Sequence, residues 1–313
     1  MIDLIFLGNG AMMPLPDRWL SSALIRVRDE IMLVDCGEGT QIPWRRSGWG
    51  FKRLALICLS HCHADHVAGL PGILHAVAIA GRERPLRIVG PVGTAAVVAG
   101  LRTIAPELPY EVVVEELAAG ERREAIAGMS LSVLDGDHRI PVLLYRFDLP
   151  RSREFLPDLA TRLGVPRERW GELTKGIDVL VKMDVVAYDD VHGPERRGIS
   201  LGYATDTRPV GGAADFFRGV DTLVCEGTYG DDADQENAVR NKHMTFREAA
   251  TIARDADAGS LVLTHFSPKI ASPEEWIGNA TAVFEPVELT YSGWTRTLNY
   301  PASAPSPSPA PRR

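Results

Sequence analysis

The 313-residue chain contains no apolar run approaching the ~18–20 residues that a membrane-spanning helix needs. That excludes an integral helical membrane protein. Cysteine is scarce: Cys36, Cys58, Cys62 and Cys225 show no C-x-x-C spacing, which argues against a disulfide scaffold and fits a reducing compartment. Positive charge is not in surplus either, with 34 Lys and Arg against 41 Asp and Glu and a net charge of −7. That argues against a broadly cationic nucleic-acid binder and does not exclude a local basic patch. The amino terminus, Met1-Ile2-Asp3-Leu4-Ile5-Phe6, has an acid where a secretory signal carries lysine or arginine, so a cytoplasmic protein is expected. No internal repeat is present. With 45% hydrophobic and 24% charged residues, the composition is that of an ordinary globular protein and excludes disordered and fibrous classes.

Strand-like and helix-like segments alternate from Met1 to about Tyr300. Ile2, Leu4 and Phe6 alternate as in a half-buried strand that ends at Gly8-Asn9-Gly10. Ser22–Val27 and Ile31–Val34 read as two further strands, and the continuous apolar run Leu54–Leu59 suits a strand buried on both faces. Proline placement predicts a helix over Pro71–Ala80, and Thr94 is expected to cap a helix through Leu101. Thr245-Phe246-Arg247-Glu248 is a capping box whose helix is expected to run to Gly259. Two sheets with helices outside them follow from this order. Residues 301–313 are rich in proline and serine and are expected to form a disordered tail.

The most informative segment is Ser60-His61-Cys62-His63-Ala64-Asp65-His66, which directly follows the buried run. Three imidazoles and a carboxylate in six positions outweigh the reading that suits a lone histidine, a satisfied polar group near the core. In a loop at a strand's carboxyl end, His61 and His63 can converge on one ion while Asp65 and His66 address a second. Nitrogen and oxygen donors of this kind suit zinc, with manganese or another divalent ion as the alternative. Asp35, His138, Asp206 and His265 each follow a strand pattern, where open sheets commonly build sites. Of the remaining histidines, His75 reads as packing or surface and His192 as a loop residue.

These blocks resemble the metallo-β-lactamase superfamily, with its H-x-H-x-D-H loop, and within it the ribonuclease Z family of tRNA 3′-processing endonucleases. The resemblance rests on Phe6-Leu7-Gly8-Asn9-Gly10, Asp35-Cys36-Gly37-Glu38-Gly39-Thr40, the histidine loop through Gly69-Leu70-Pro71-Gly72, Asp206-Thr207-Arg208, Glu226-Gly227-Thr228, His243-Met244-Thr245 and Leu263-Thr264-His265. It implies an α/β fold, a four-layer αββα sandwich over 1–300 with an arm or lid inserted at about 148–182. It implies two Zn2+ per chain: one held by His61, His63 and His138, the other by Asp65, His66 and His265, with Asp206 bridging. Asp35 and Glu226 would support the ligands from behind, by accepting a histidine's other ring N–H. Two ions ~3.5–4 Å apart would turn a shared water into hydroxide and neutralise charge on a phosphodiester. Asp65 would orient or deprotonate that water, and His243 would stabilise the phosphate or protonate the leaving oxygen. The expected partners are precursor tRNA, whose 3′ trailer is removed, and a second copy of the chain in a homodimer.

Three features depart from the family pattern. The Gly-Pro pair expected in the arm is replaced by Glu168-Arg169. Residues 139–175 carry eight Lys and Arg against five acids, so Arg167, Arg169 and Lys175 are the candidate phosphate contacts on only a mild surplus. Thr205 stands before Asp206 where glycine is common. Cys62, between two ligand positions, is expected to point away from the ions. An alternative therefore stands beside the first reading: a hydrolase of the same fold acting on a small phosphodiester, such as a cyclic nucleotide, or on an ester.

Overall fold

The computed structural model describes residues 1–302; the expected tail falls outside the described residues from 303 onward. Along the chain come β1 (Ile2–Gly8), β2 (Ser22–Val27), β3 (Glu30–Val34), β4 (Leu54–Cys58), β5 (Leu86–Gly90) and β6 (Val112–Glu116). Next are β7 (Arg122–Glu124), β8 (Ser130–Asp135), β9 (Leu143–Arg151), β10 (Val179–Val181) and β11 (Asp184–Val186). The series ends with β12 (Arg196–Ala204), β13 (Thr222–Glu226), β14 (Leu261–Thr264), β15 (Val287–Leu289) and β16 (Thr295–Leu298).

Two seven-stranded sheets result, in the orders β16-β1-β2-β3-β4-β5-β6 and β15-β14-β13-β12-β9-β8-β7. In the first, β16, β1, β2 and β3 pair antiparallel and β3 to β6 pair parallel. The second has antiparallel β7, β8 and β9 and parallel β12 to β15. Parallel pairs need long crossovers, and helices Gln41–Ser47, Leu70–Ile79 and Thr94–Leu101 serve the first sheet. The second uses Ala213–Phe216, Gln235–Asn241 and Phe246–Asp255.

Each sheet is buried on both faces. Leu33, Leu54 and Ile57 pack with Trp44, Ile73, Leu74 and Val77 of the helices. Leu223, Leu261 and Leu263 pack with Phe246, Ala249 and Ala253. The alternate residues of the same strands, such as Met32, Leu56 and Val262, are equally inaccessible. Tyr145 of β9 donates its hydroxyl to the Leu59 carbonyl after β4 (2.7 Å), joining the sheets. The architecture is the αββα sandwich of the metallo-β-lactamase fold.

Some boundaries differ from the expectation. Helix Thr94–Leu101 is preceded by Gly93 in the left-handed region, and Thr94 itself donates its hydroxyl to the Pro91 carbonyl rather than capping. The capping box at Thr245 and Glu248 forms, but its helix ends at Asp255, because the chain turns through Ala256 before reaching Gly259. The described residues divide into two compact units: Met1–Leu149 with Ile199–Asn299, and Pro150–Gly198 with residues 300–302. The inserted unit has its own core of Ala160, Val165, Leu173, Val179, Val186 and Val191. No helix among the described residues is long and apolar enough to cross a membrane.

Candidate metal centre

Three of the expected site residues sit just past a parallel strand in the left-handed backbone region: Asp35 after β3 (φ 57°), Asp206 after β12 (φ 52°) and His265 after β14 (φ 60°). Non-glycine residues seldom adopt that region, and it costs on the order of 1–3 kcal/mol each. The reversal turns each side chain back over the sheet's carboxyl edge. The histidine loop docks against the first of these turns through Cys36 N–H to His66 O (2.8 Å) and Gly69 N–H to Cys36 O (2.9 Å). A Cβ on Gly69 would lie 2.1 Å from the Gly37 carbonyl oxygen, so glycine is what lets the two backbones meet.

All seven expected ligands converge, in two sets. His61 Nε2 lies 3.0 Å from His63 Nδ1, which lies 3.1 Å from His138 Nε2. Asp65, His66, Asp206 and His265 form the other set, with ligand atoms within 4.8 Å of one another. Asp206 divides its oxygens between them. Oδ1 is 3.2 Å from His66 Nε2 and 3.1 Å from His265 Nε2; Oδ2 is 3.7 Å from His61 Nε2 and 4.0 Å from His138 Nε2. Asp65 Oδ2 is 3.6 Å from His66 Nε2 and accepts the Met12 N–H at 2.8 Å.

Outer partners fix which ring nitrogen faces inward. Asp35, fully buried, accepts from His66 Nδ1 (2.9 Å) and from the Ser60 amide and hydroxyl. Ser60 Oγ in turn accepts from His61 Nδ1 (3.0 Å). His138 Nδ1 donates to the carbonyl of Lys242 (3.1 Å), a residue in the left-handed region at the end of helix Gln235–Asn241. His265 Nδ1 donates to Thr228 Oγ1 (3.0 Å), whose hydroxyl donates to Glu226 (2.6 Å). Glu226 also accepts from His243 Nδ1 (3.1 Å) and from the amides of Thr207 and Met244.

The protonation states follow from burial and neighbours. Desolvation holds His61, His63 and His138 below the usual imidazole range, leaving their lone pairs free. For His66, burial works downward, but Asp206 and Asp35 outweigh it and raise the ring well above that range. Burial alone would raise Asp65 and Asp206, yet the facing histidines hold both carboxyls well below the usual carboxylate range. His243 is raised to about 9: burial opposes the shift, and the charge and hydrogen bond of Glu226 overcome it. Three imidazole nitrogens with lone pairs aimed at one another cannot satisfy one another by hydrogen bonding. Together with two ionised carboxylates, they form a donor set that fits divalent cations.

The cavity over the centre, ≈ 240 Å³, is lined by His63, Asp65, His138, Asp206, His243 and His265, with Met12, Arg139, Tyr229 and Asn241 among its other walls. A larger cavity, ≈ 700 Å³, lies wholly within the inserted unit and contains none of the seven candidate ligands. Arg167, Arg169 and Lys175 belong to that unit. There Arg169 forms a two-pronged pair with Glu172 (2.9 and 2.8 Å), Arg167 lies over the Trp170 ring, and Lys175 is exposed. Cys62 contacts Thr94 Oγ1 (3.7 Å) and is in neither donor set. His75 is exposed on its helix. His192 lies between elements, as expected of a loop residue, but is buried there: it bridges to Phe155 and stacks on Tyr188 at 3.7 Å between centroids. The sequence reading missed Ser60, Thr228 and the Lys242 carbonyl, and marked Thr205 only as a departure before Asp206, without its bond to that carboxylate. Only Ser60 and Thr228 had a signal, as members of the Ser-His-x-His and Glu-Gly-Thr blocks.

Comparison with known proteins bears on most of the chain. A family model described as "Beta-lactamase superfamily domain" matches residues 191–266, and one described as "Anti-Pycsar protein Apyc1" matches residues 2–91. Human tRNase Z, short form, superposes with a TM-score of 0.67 at 24% identity, covering 96% of this chain and all of that one. YhfI of Bacillus subtilis, a metallo-β-lactamase fold protein, gives 0.68 at 18% identity, covering 95% and 100%. Both likenesses show the fold. Ribonuclease Z of Lachnoclostridium phytofermentans is 40% identical, with 91% of this chain and 93% of that protein aligned. Ribonuclease Z of Clostridium beijerinckii is 41% identical, with 96% and 99% aligned. On identity of this extent over almost the full length, the chain belongs to the ribonuclease Z family.

Proposed function

We propose that the protein is a zinc-dependent endoribonuclease that removes 3′ trailers from precursor tRNA. The observation that carries this reading is the division of the Asp206 oxygens between two sets of imidazoles. His61, His63 and His138 would hold one cation, and Asp65, His66 and His265 the other, with Asp206 serving both. Zinc suits the nitrogen-rich set, and manganese is the alternative. When bound, the cations supply Lewis acidity toward water and the phosphodiester. Asp65, kept ionised, accepts a proton from the attacking water and is itself held by the Met12 amide. His243, gripped at Nδ1 by Glu226, delivers a proton to the departing 3′-oxygen as the P–O3′ bond breaks. The tRNA body then ends in a 3′-hydroxyl and the trailer begins with a 5′-phosphate. Arg139, exposed at the rim, meets the substrate's backbone phosphates. A homodimer, implied by the sequence resemblance, belongs to the same reading, and light scattering tests it.

The deciding experiment incubates purified protein with a precursor tRNA and, separately, with a chromogenic phosphodiester, with and without chelator. A single cut leaving a 3′-hydroxyl on the tRNA body, abolished by chelation, is the expected result. Hydrolysis of the small ester with intact precursor tRNA would remove the RNA assignment and favour the small-substrate hydrolase. Resistance to chelation would remove the metal assignment.

A further inference from the structure

Each carboxylate of the centre is anchored from outside the donor sets, but by unequal means. Asp35 accepts the Ser60 amide and hydroxyl, Asp65 accepts the Met12 amide, and Glu226 accepts two amides and a threonine hydroxyl. Among the described residues, Asp206 receives no backbone N–H. Besides the facing histidines, its one hydrogen-bond donor among the described residues is the hydroxyl of Thr205, 2.7 Å from Oδ1. Thr205 is itself 1% exposed, so water does not compete for that bond. The oxygen it engages is the one facing His66 and His265.

Resting on the two-cation reading above, we propose that Thr205 is a positioning residue for Asp206. Its hydroxyl locks the carboxylate torsion so that Oδ1 serves the Asp65, His66 and His265 side while Oδ2 stays with His61 and His138. A hydroxyl spends one lone pair of Oδ1 and leaves another for a cation. The loss in donor strength is outweighed by pre-orientation, since outer partners of ligand carboxylates are generally worth 10–100-fold in metal affinity. Because the bond is to Oδ1 alone, the effect is asymmetric between the two cations.

The test titrates the cation-free full-length protein with Zn2+ against a chelating indicator, and follows Co2+ uptake by its visible absorption. Wild type is compared with Thr205→Val, Thr205→Ala and Thr205→Ser. The expected result is two cations in wild type, loss of affinity of about tenfold for one of them in Thr205→Val and Thr205→Ala, and recovery in Thr205→Ser. Unchanged melting of the cation-free variants marks the effect as positioning rather than folding. Should Thr205→Val not fold, Thr205→Ala carries the comparison. Affinity equal to wild type without the hydroxyl overturns the role of Thr205 while leaving the centre standing, and so does failure of Thr205→Ser to recover. A wild-type protein that takes up fewer than two cations overturns the underlying reading as well.

Discussion

Asp35 and Asp206 occupy corresponding places in the two sheets. Each follows the fourth strand of its sheet order, β3 in one and β12 in the other, where parallel pairing begins. Both adopt the left-handed backbone, at φ 57° and 52°. Yet Asp35 meets the Nδ1 side of one histidine and is saturated by Ser60, whereas Asp206 faces the Nε2 atoms of four. The same strand-end device thus yields an orienting carboxylate in one sheet and a shared donor in the other. The difference lies in which edge of the imidazoles the neighbouring loop presents.

The sharpest way to break the comparison is to neutralise each acid in turn. Asp206→Asn leaves shape unchanged but removes the shared charge, and we expect a fall in phosphodiester turnover of about 10³-fold or more, ~4 kcal/mol in barrier. Metal analysis of the same protein should show fewer than two cations. Glu226→Gln touches the outer anchor of the second sheet; turnover should drop by about 10²-fold while bound metal stays at the wild-type level, because His243 loses its grip. Asp35→Asn is expected to weaken cation affinity by about 10–100-fold and to recover turnover at saturating metal. Equal damage from Asp35→Asn and Asp206→Asn at saturating zinc would erase the distinction between orienting and shared carboxylates.

The smallest effect concerns the frame of His243. Arg208 donates to the His243 carbonyl and to Glu248, whose carboxyl would be raised by burial but is held below its ordinary value by Arg208, Gln235 and the Thr245 amide. A carboxyl depressed on folding contributes stability above its unfolded value of about 4.3, and that contribution is lost as pH falls through the lower folded value. Glu248→Gln should therefore cost about 1–2 kcal/mol at pH 7, allowing for partial exposure. The gap to wild type should narrow below about pH 4 in urea unfolding. A gap that widens in acid would contradict the assigned ion pair.

How much of this was readable in advance varied with sequence separation. The histidine loop announces itself because four donors share one stretch, and the strand before it is a plain apolar run. His138, Asp206 and His265 are isolated letters, found only through the strand patterns ahead of them and the family blocks. Thr205 showed only as a threonine where glycine is common, with no sign of its bond to Asp206, and the Lys242 carbonyl left no trace, because a carbonyl has no letter at all. The inserted unit shows the reverse failure. A surplus of arginine suggested free cations, but Arg169 spends its guanidinium on Glu172 three residues away, a pairing that charge counts do not register.

The amino-acid order by itself determined which groups were available and which strands would carry them, because alternation and apolar runs are local properties of the chain. Only the tertiary structure decided that two carboxylates in corresponding turns take different parts. Orientation toward a shared centre depends on backbone reversals and on loops meeting across two sheets, and no single segment encodes that meeting.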